Sequence, residues 1–189
     1  MLTPVRALPA ACLILLAALG HLSAAPAPPD TAVLEFLGFR AGARLDELAL
    51  HLGRSGGGKL RCRRSKLDPR VSECRGALRE QQLGGAIDVW ISAIDSIAGV
   101  ITVSGVVAPG QIERWSESLQ VQYGRVDTNS QGAQRMRQWV RRGRMLRLTW
   151  RTEHGEKVAS ISLVDGRVLD GWGRGSPASD KRQPASRTR

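Results

Sequence analysis

Residues 53–59 are the first segment whose residue types and spacing could do chemistry. They read Gly-Arg-Ser-Gly-Gly-Gly-Lys and match the start of the phosphate-binding loop G-x-x-x-x-G-K. A working loop follows a strand, opens a helix whose N-terminus faces phosphate, and continues with a hydroxyl residue that binds magnesium. Here the segment follows a predicted helix and precedes a predicted strand, and Leu60 occupies the hydroxyl position. We therefore interpret the segment as a flexible glycine-rich turn.

The same turn also spells G-x-S-x-G, with Ser55 in the position of a hydrolase nucleophile. The nucleophile elbow requires a strand before the serine and a helix after it, which is the reverse of the order predicted here. His51 and His154 lie in no H-x-x-x-H or C-x-x-H spacing, so a zinc site is disfavoured. We predict no catalytic residue, no metal and no cofactor, and a chain that is not an enzyme.

A hydrolase with paired carboxylates is the least favoured alternative. Such an enzyme holds two acids about 5–9 Å apart across a cleft, and the acids of this chain are scattered over predicted strand ends and turns. They are Asp88, Asp95, Glu153, Asp165 and Asp170. Turn and solvated-strand roles are the stronger interpretation of these residues.

The cysteines predict one disulfide. Cys62 and Cys74 remain after a predicted signal peptide is removed, and they lie in two short predicted strands joined by a turn at Pro69. An even number of cysteines in an exported chain favours a disulfide, which would contribute roughly 2–3 kcal/mol through loop closure. Two free buried thiols are the alternative.

The two ends of the chain predict export and a single domain between them. Residues 1–25 have a basic start at Arg6 and an apolar run over 10–19, which is shorter than the ~20 residues that span a bilayer. We predict a cleaved signal peptide over 1–25, a linker over 26–30, one domain over 31–173 and a disordered basic tail over 174–189. The mature chain is expected in the periplasm or outside the cell, without a transmembrane segment.

The net charge of +11 is weak support for a nucleic-acid partner. The basic residues are almost all arginine, which GC-rich codon usage also produces. A solvated surface is the leading interpretation of the charge.

Residues recur at two spacings and predict an internal duplication. The apolar positions and closing glycine of one predicted helix recur 71 positions later, and a tryptophan and an isoleucine in predicted strands recur 60 positions later. The pairs are Leu48 and Leu119, Leu52 and Tyr123, Gly53 and Gly124, Trp90 and Trp150, and Ile101 and Ile161. The predicted fold class is α+β. It has two tandem repeats, 31–108 and 109–173, each of one helix followed by about three antiparallel strands, with the helices packed on one face of the sheet.

Alternation in the predicted strands indicates a sheet that is dry on one side and basic on the other. Leu146, Leu148 and Trp150 fall on one side of their strand, and Arg147 and Arg151 fall on the other. In an earlier strand Ile87, Val89 and Ile91 alternate with Asp88, Trp90 and Ser92.

The first helix region resembles a known family. Gly42-x-x-Leu45-Asp46-Glu47-Leu48-x-x-x-Leu52-Gly53 resembles the helical signature of the small outer-membrane assembly lipoproteins called BamE or SmpA. The doubled pattern resembles the β-lactamase inhibitory protein, which is built from two helix-plus-sheet repeats. The resemblance implies this architecture and a non-enzymatic binding role. The chain departs from it in two ways: it has no cysteine for lipid modification, and it has no inhibitory residue that can be carried over.

The predicted function is that of an exported, non-catalytic module that binds a protein or an envelope component. The alternative is a protein that binds an acidic polymer through an arginine face over 135–151, because dense positive charge attracts polyanions. Tryptophan and arginine are the residue types enriched at interface hot spots. The candidate interface residues are Trp90, Trp150, Arg137, Arg141, Arg144, Arg147 and Arg151.

Overall fold

A computed structural model describes residues 33–80 and 85–171 of the chain. The predicted signal peptide, linker and tail lie outside these residues. The first two and the last two residues of the predicted domain also lie outside them. Within them, strands predominate and three helices are present. The elements are β1 Glu35–Phe36, β2 Phe39–Arg40, α1 Leu45–Arg54, β3 Arg61–Arg64, β4 Val71–Glu80, β5 Gly85–Ile94, β6 Ile97–Val106, α2 Gln111–Tyr123, β7 Asn129–Gln131, β8 Gln134–Arg141, β9 Arg144–Glu153, β10 Glu156–Asp165 and α3 Gly166–Leu169.

Eight strands form one continuous antiparallel sheet in the order β3-β4-β5-β6-β10-β9-β8-β7, and β1 and β2 form a separate two-stranded sheet. The predicted fold class was therefore wrong. Four strands, not three, follow each of α1 and α2, and a third short helix ends the described chain. The described chain is mostly β, and its large sheet is continuous across β6 and β10 instead of being divided into two helix-plus-three-strand repeats.

Helices α1 and α2 form where apolar side chains recur at helical spacing, as predicted. Leu48 and Leu52 of α1 are buried, as are Ile112, Trp115 and Leu119 of α2. The predicted end of α2 at glycine is confirmed, since Gly124 caps it with φ of 89°. The predicted end of α1 was wrong, because the helix continues through Gly53 to Arg54 and is capped at Ser55.

Four hairpin turns share a backbone geometry that the right-handed twist of strands favours. In each, both central residues have positive φ, which is the type I′ conformation. The residue pairs are Leu37 and Gly38, Asp95 and Ser96, Arg142 and Gly143, and His154 and Gly155. These tight turns fix the registers of β1–β2, β5–β6, β8–β9 and β9–β10.

The core lies between the two longer helices and one face of the large sheet. Gly76 of β4 shows how close this packing is, because a Cβ there would lie 2.5 Å from the Leu52 side chain of α1. Tyr123 ties the N-terminal hairpin to α2, since its hydroxyl accepts a hydrogen bond from the Glu35 amide at 2.9 Å and lies 3.1 Å from the Glu35 carbonyl. Burial is the main reason that the pKa of Tyr123 is raised.

The predicted disulfide is confirmed. Cys62 of β3 and Cys74 of β4 are directly opposite each other in the ladder, with their sulfurs 2.02 Å apart. Disulfides persist in oxidising compartments, so the bond is compatible with a location outside the cytoplasm. None of the helices in residues 33–80 and 85–171 is long and apolar enough to cross a membrane.

Candidate functional site

The large sheet has one covered face and one open face. Side chains alternate between the faces along each strand. In β5, Val89 and Ile91 are buried in the core with the helices, whereas Asp88 is exposed and Trp90 and Ser92 are only half-buried on the other side. We call the side of the large sheet that carries Trp90 the open face.

A row of paired residues crosses the open face nearly from edge to edge. At its centre Thr102 of β6 is opposite Ser162 of β10, with their hydroxyl oxygens 3.5 Å apart. Trp90 is the partner of Thr102 on one side, and Arg147 is the partner of Ser162 on the other. We call these residues, with Arg61 and Arg75 added at one end and Gln138 at the other, the central row. Its members in order are Arg61, Arg75, Trp90, Thr102, Ser162, Arg147 and Gln138.

Small hydroxyl residues occupy the middle of the open face on both sides of the β6–β10 junction. Ser104 is opposite Ser160, and Thr149 follows Ser160 in the same row. These side chains are all half-buried. The middle of the face is therefore low and polar, and larger side chains stand on either side of it.

Three predicted interface residues lie on the open face: Trp90, Arg147 and Arg151. The Arg147 guanidinium is oriented by a hydrogen bond of 2.9 Å from its Nε to Gln138 Oε1. Arg151 is paired with Glu153 at 2.7 Å near the end of the same strand. Arg147 and Arg151 both lie on the side of β9 that faces away from the buried Leu146 and Leu148.

Trp150, Arg137 and Arg141 lie on the covered face instead. Trp150 packs against the core. Arg137 donates from Nε to Thr128 Oγ1 at 2.9 Å and from Nη1 to the hydroxyl of Ser116 in α2. Arg141 donates to the Tyr123 carbonyl oxygen at 2.7 Å. The two arginines thus attach α2 and the loop after it to the edge of the sheet.

Arg144 is also held in the fold, by the buried carboxylate of Asp165. Its Nε lies 2.7 Å from Asp165 Oδ2, and Arg167 donates from Nε and Nη2 to the same carboxylate at 3.1 and 3.0 Å. Burial is the largest single influence on the pKa of Asp165 and raises it. The hydrogen bonds and charges of Arg167 and Arg144 together outweigh burial and lower this pKa from 3.8 to about 2.

The predicted equivalence of Trp90 and Trp150 was wrong. Trp90 precedes its hairpin turn at Asp95 by one residue more than Trp150 precedes its turn at His154. A shift of one residue moves a side chain to the opposite face of a sheet. The two tryptophans consequently point to opposite sides, and only Trp90 belongs to the candidate site.

The sequence reading missed a second basic group on the open face. These arginines are exposed and lie on the β3–β4 hairpin next to Trp90. They are Arg61, Arg63, Arg75 and Arg79. The alternation of Arg75 and Arg79 with Cys74, Gly76 and Leu78 was a readable signal, because buried or small residues occupy every second position.

The residues considered for catalysis or metal binding lie in a loop or pack within the fold. Gly53 and Arg54 are the last residues of α1, and residues 55–60 connect the helix with β3, so the predicted turn begins two residues later than expected. His51 is packed edge-on against Phe39 with ring centroids 4.8 Å apart, and its Nε2 is 2.7 Å from the Leu37 carbonyl oxygen. Within the described parts of the chain, no three His, Cys, Asp or Glu residues are grouped as metal ligands.

Comparisons of the chain with protein-family models, with characterised proteins and with solved structures give no match. The candidate site therefore stands on its own geometry.

Proposed function

We propose that this protein is an exported, non-catalytic module that binds an acidic protein on the open face of its large sheet. The observation that carries the proposal is the central row. It places a tryptophan and an arginine on opposite sides of a low centre formed by Thr102 and Ser162. Large anchors around a small-residue centre allow another protein surface to approach closely and to bury both anchors.

Trp90 and Arg147 have the properties of binding anchors. Tryptophan and arginine dominate interface energetics because each combines a large contact area with hydrogen-bonding capacity. Both side chains are half-buried by their strand neighbours. Gln138 holds the Arg147 guanidinium through a hydrogen bond, which reduces the side-chain freedom that binding would remove.

The charges of the open face favour an acidic partner. Its arginines outnumber its acidic side chains, which include Glu73, Asp88 and Glu153. A basic face accelerates encounter with an acidic one and disfavours basic competitors. The arginines of the open face are Arg61, Arg63, Arg75, Arg79, Arg147 and Arg151.

The disulfide is compatible with the exported location that this proposal includes. The alternative, an acidic polymer bound through residues 135–151, is less well supported. Arg137, Arg141 and Arg144 bond to Ser116, Tyr123 and Asp165 on the covered side, so the arginines of this segment do not form one exposed face.

The proposal is tested by capture from an extract of the producing cells, with a Trp90→Ala and Arg147→Ala double variant beside the wild-type protein. Acidic proteins that bind the wild type should lose at least tenfold in retention, because hot-spot truncations cost about 2 kcal/mol or more each. An Arg125→Ala variant is the matched control, since Arg125 is exposed in the loop after α2. Circular dichroism verifies that all variants are folded.

Equal retention by the wild type and the double variant would contradict the proposal. Retention of acidic polymers alone, with affinity that falls steeply between about 0.05 and 0.2 M salt, would favour the polyanion alternative.

A further inference from the structure

Strand β3 forms one edge of the large sheet and is rich in arginine. It pairs with β4 on one side and ends the strand order on the other. Its residues are Arg61, Cys62, Arg63 and Arg64, and all four are exposed. The disulfide from Cys62 fixes this edge to the buried Cys74 of β4, so the edge is a covalently held part of the sheet.

The backbone direction along β3 follows from one hydrogen bond. The Ser65 amide donates to the Val71 carbonyl oxygen at 2.9 Å, just beyond the last ladder pair. In an antiparallel pair, successive residues alternate between bonding to the partner strand and pointing away from it. The backbone groups of Arg61 and Arg63 therefore face β4, whereas those of Cys62 and Arg64 face outward from the sheet edge.

Within residues 33–80 and 85–171, neither Arg61 nor Arg63 of this edge forms an ion pair. Arg61 is directly opposite Arg75, and like charges in this position destabilise a strand pair. Arg63 is opposite Glu73, yet no ion pair forms between them within residues 33–80 and 85–171. The charge of Arg61 and Arg63 is therefore available to a partner on the open-face side of the edge.

We propose that the β3 edge accepts an extended acidic segment of the partner protein as an added antiparallel strand. The proposal rests on the protein-binding function above and names how part of that partner binds. The outward backbone groups of Cys62 and Arg64 would bond to the added strand. Acidic residues at every second position, about 6.6–7 Å apart, would then lie beside Arg61 and Arg63 on the open face.

The same arginines argue against a second copy of this chain as the occupant. Pairing of β3 with β3 would bring arginines against arginines, and charged edge strands prevent such self-association. An acidic strand converts this repulsion into attraction. The edge therefore selects its partner by charge and holds it by backbone hydrogen bonds.

The probe is a short peptide in which threonine and glutamate alternate, added to the folded, oxidised protein. Amide exchange measured by NMR should slow at Cys62 and Arg64, whose amides point outward, and change little at Arg61 and Arg63. Arg61→Gln and Arg63→Gln should each weaken peptide binding by roughly fivefold, as expected for a cross-strand charge pair. A peptide in which proline replaces threonine keeps the charge but cannot donate the ladder hydrogen bonds.

An Arg64→Pro variant separates strand addition from charge attraction. Proline at this edge position removes only an outward amide, so the fold should be retained. We expect binding to be lost in Arg64→Pro and largely kept in Arg64→Gln, which removes the same charge. Equal binding of the proline peptide, or binding retained by Arg64→Pro, would overturn the proposal and indicate charge attraction alone.

A variant of the central row distinguishes the β3 edge site from the proposed function. Trp90→Ala with Arg147→Ala should leave peptide binding at β3 unchanged, whereas it should reduce capture of the whole partner at least tenfold. Peptide binding without open-face capture would retain the edge site and reject the proposed function. Capture of the partner without peptide binding would retain the proposed function and reject the edge site.

Discussion

Asp165 shows how charge is used inside this protein rather than on its surface. Its side chain is 2% exposed, and Arg144 and Arg167 both contact the carboxylate. An unpaired carboxylate at this depth would be strongly destabilising, so the two guanidiniums are needed to keep it ionised. Arg144, predicted as an interface residue, thus has a structural contact with Asp165, its partner residue in the β9–β10 hairpin.

The pairing predicts a specific pH dependence. The pKa of Asp165 is about 2 in the folded chain and 3.8 ordinarily, so the ionised carboxylate stabilises the fold above about pH 4. This contribution, on the order of 2 kcal/mol, is lost as the pH falls from about 4 through 2. Asp165→Asn should lower the free energy of unfolding at neutral pH, and the deficit should shrink in that window.

Urea unfolding of both proteins between about pH 2 and 6 measures the effect. Glu117→Gln is the control, because Glu117 is exposed on α2. Wild-type and Asp165→Asn curves that stay parallel across the acidic range would contradict this role.

Among the elements, the hairpin turn between β5 and β6 is strained. Both of its central residues, Asp95 and Ser96, have positive φ without being glycine. The left-handed conformation costs roughly 1–2 kcal/mol for such residues. The turn between β9 and β10 has the same form but carries glycine at the second position, Gly155.

Ser96→Gly should therefore raise the free energy of unfolding by about 0.5–1 kcal/mol, since the relieved strain exceeds the greater flexibility of glycine in the unfolded chain. Gly155→Ala is the matched change in the opposite direction. No atom lies within 4 Å of a Cβ at Gly155, so its cost reports backbone conformation alone. Chemical denaturation measures both variants, and destabilisation by Ser96→Gly would contradict the strain argument.

The elements also show what the sequence could and could not predict. Helix α2 and strands β5, β6, β9 and β10 were predictable because their apolar residues recur at regular spacing. Strand β7 was missed because Asn129–Gln131 is polar and exposed throughout, which leaves no alternation to read. The strand count of the second predicted repeat failed for this reason.

At the scale of the whole molecule, the open face exists only because β6 pairs with β10. Thr102 and Ser162 meet across that junction although they are 60 positions apart in the chain. The alternation of apolar and polar residues correctly placed Arg147 and Leu148 on opposite sides of their strand. No local signal, however, gives the order of strands in a sheet. The sequence thus predicted the sides of individual strands, and the strand order was needed to assemble Trp90, Arg147 and the β3–β4 arginines into one surface.

The most direct test of docking on the open face is site-specific photo-crosslinking from three exposed valines. Val106 and Val140 lie on the open face and are 42% and 62% exposed, whereas Val121 lies on α2 and is 80% exposed. A photoreactive amino acid is placed at each position in turn, and the protein is irradiated in an extract of the producing cells. We expect a common crosslinked partner from positions 106 and 140 and none from 121. A partner crosslinked from 121 but not from 106 or 140 would contradict the account.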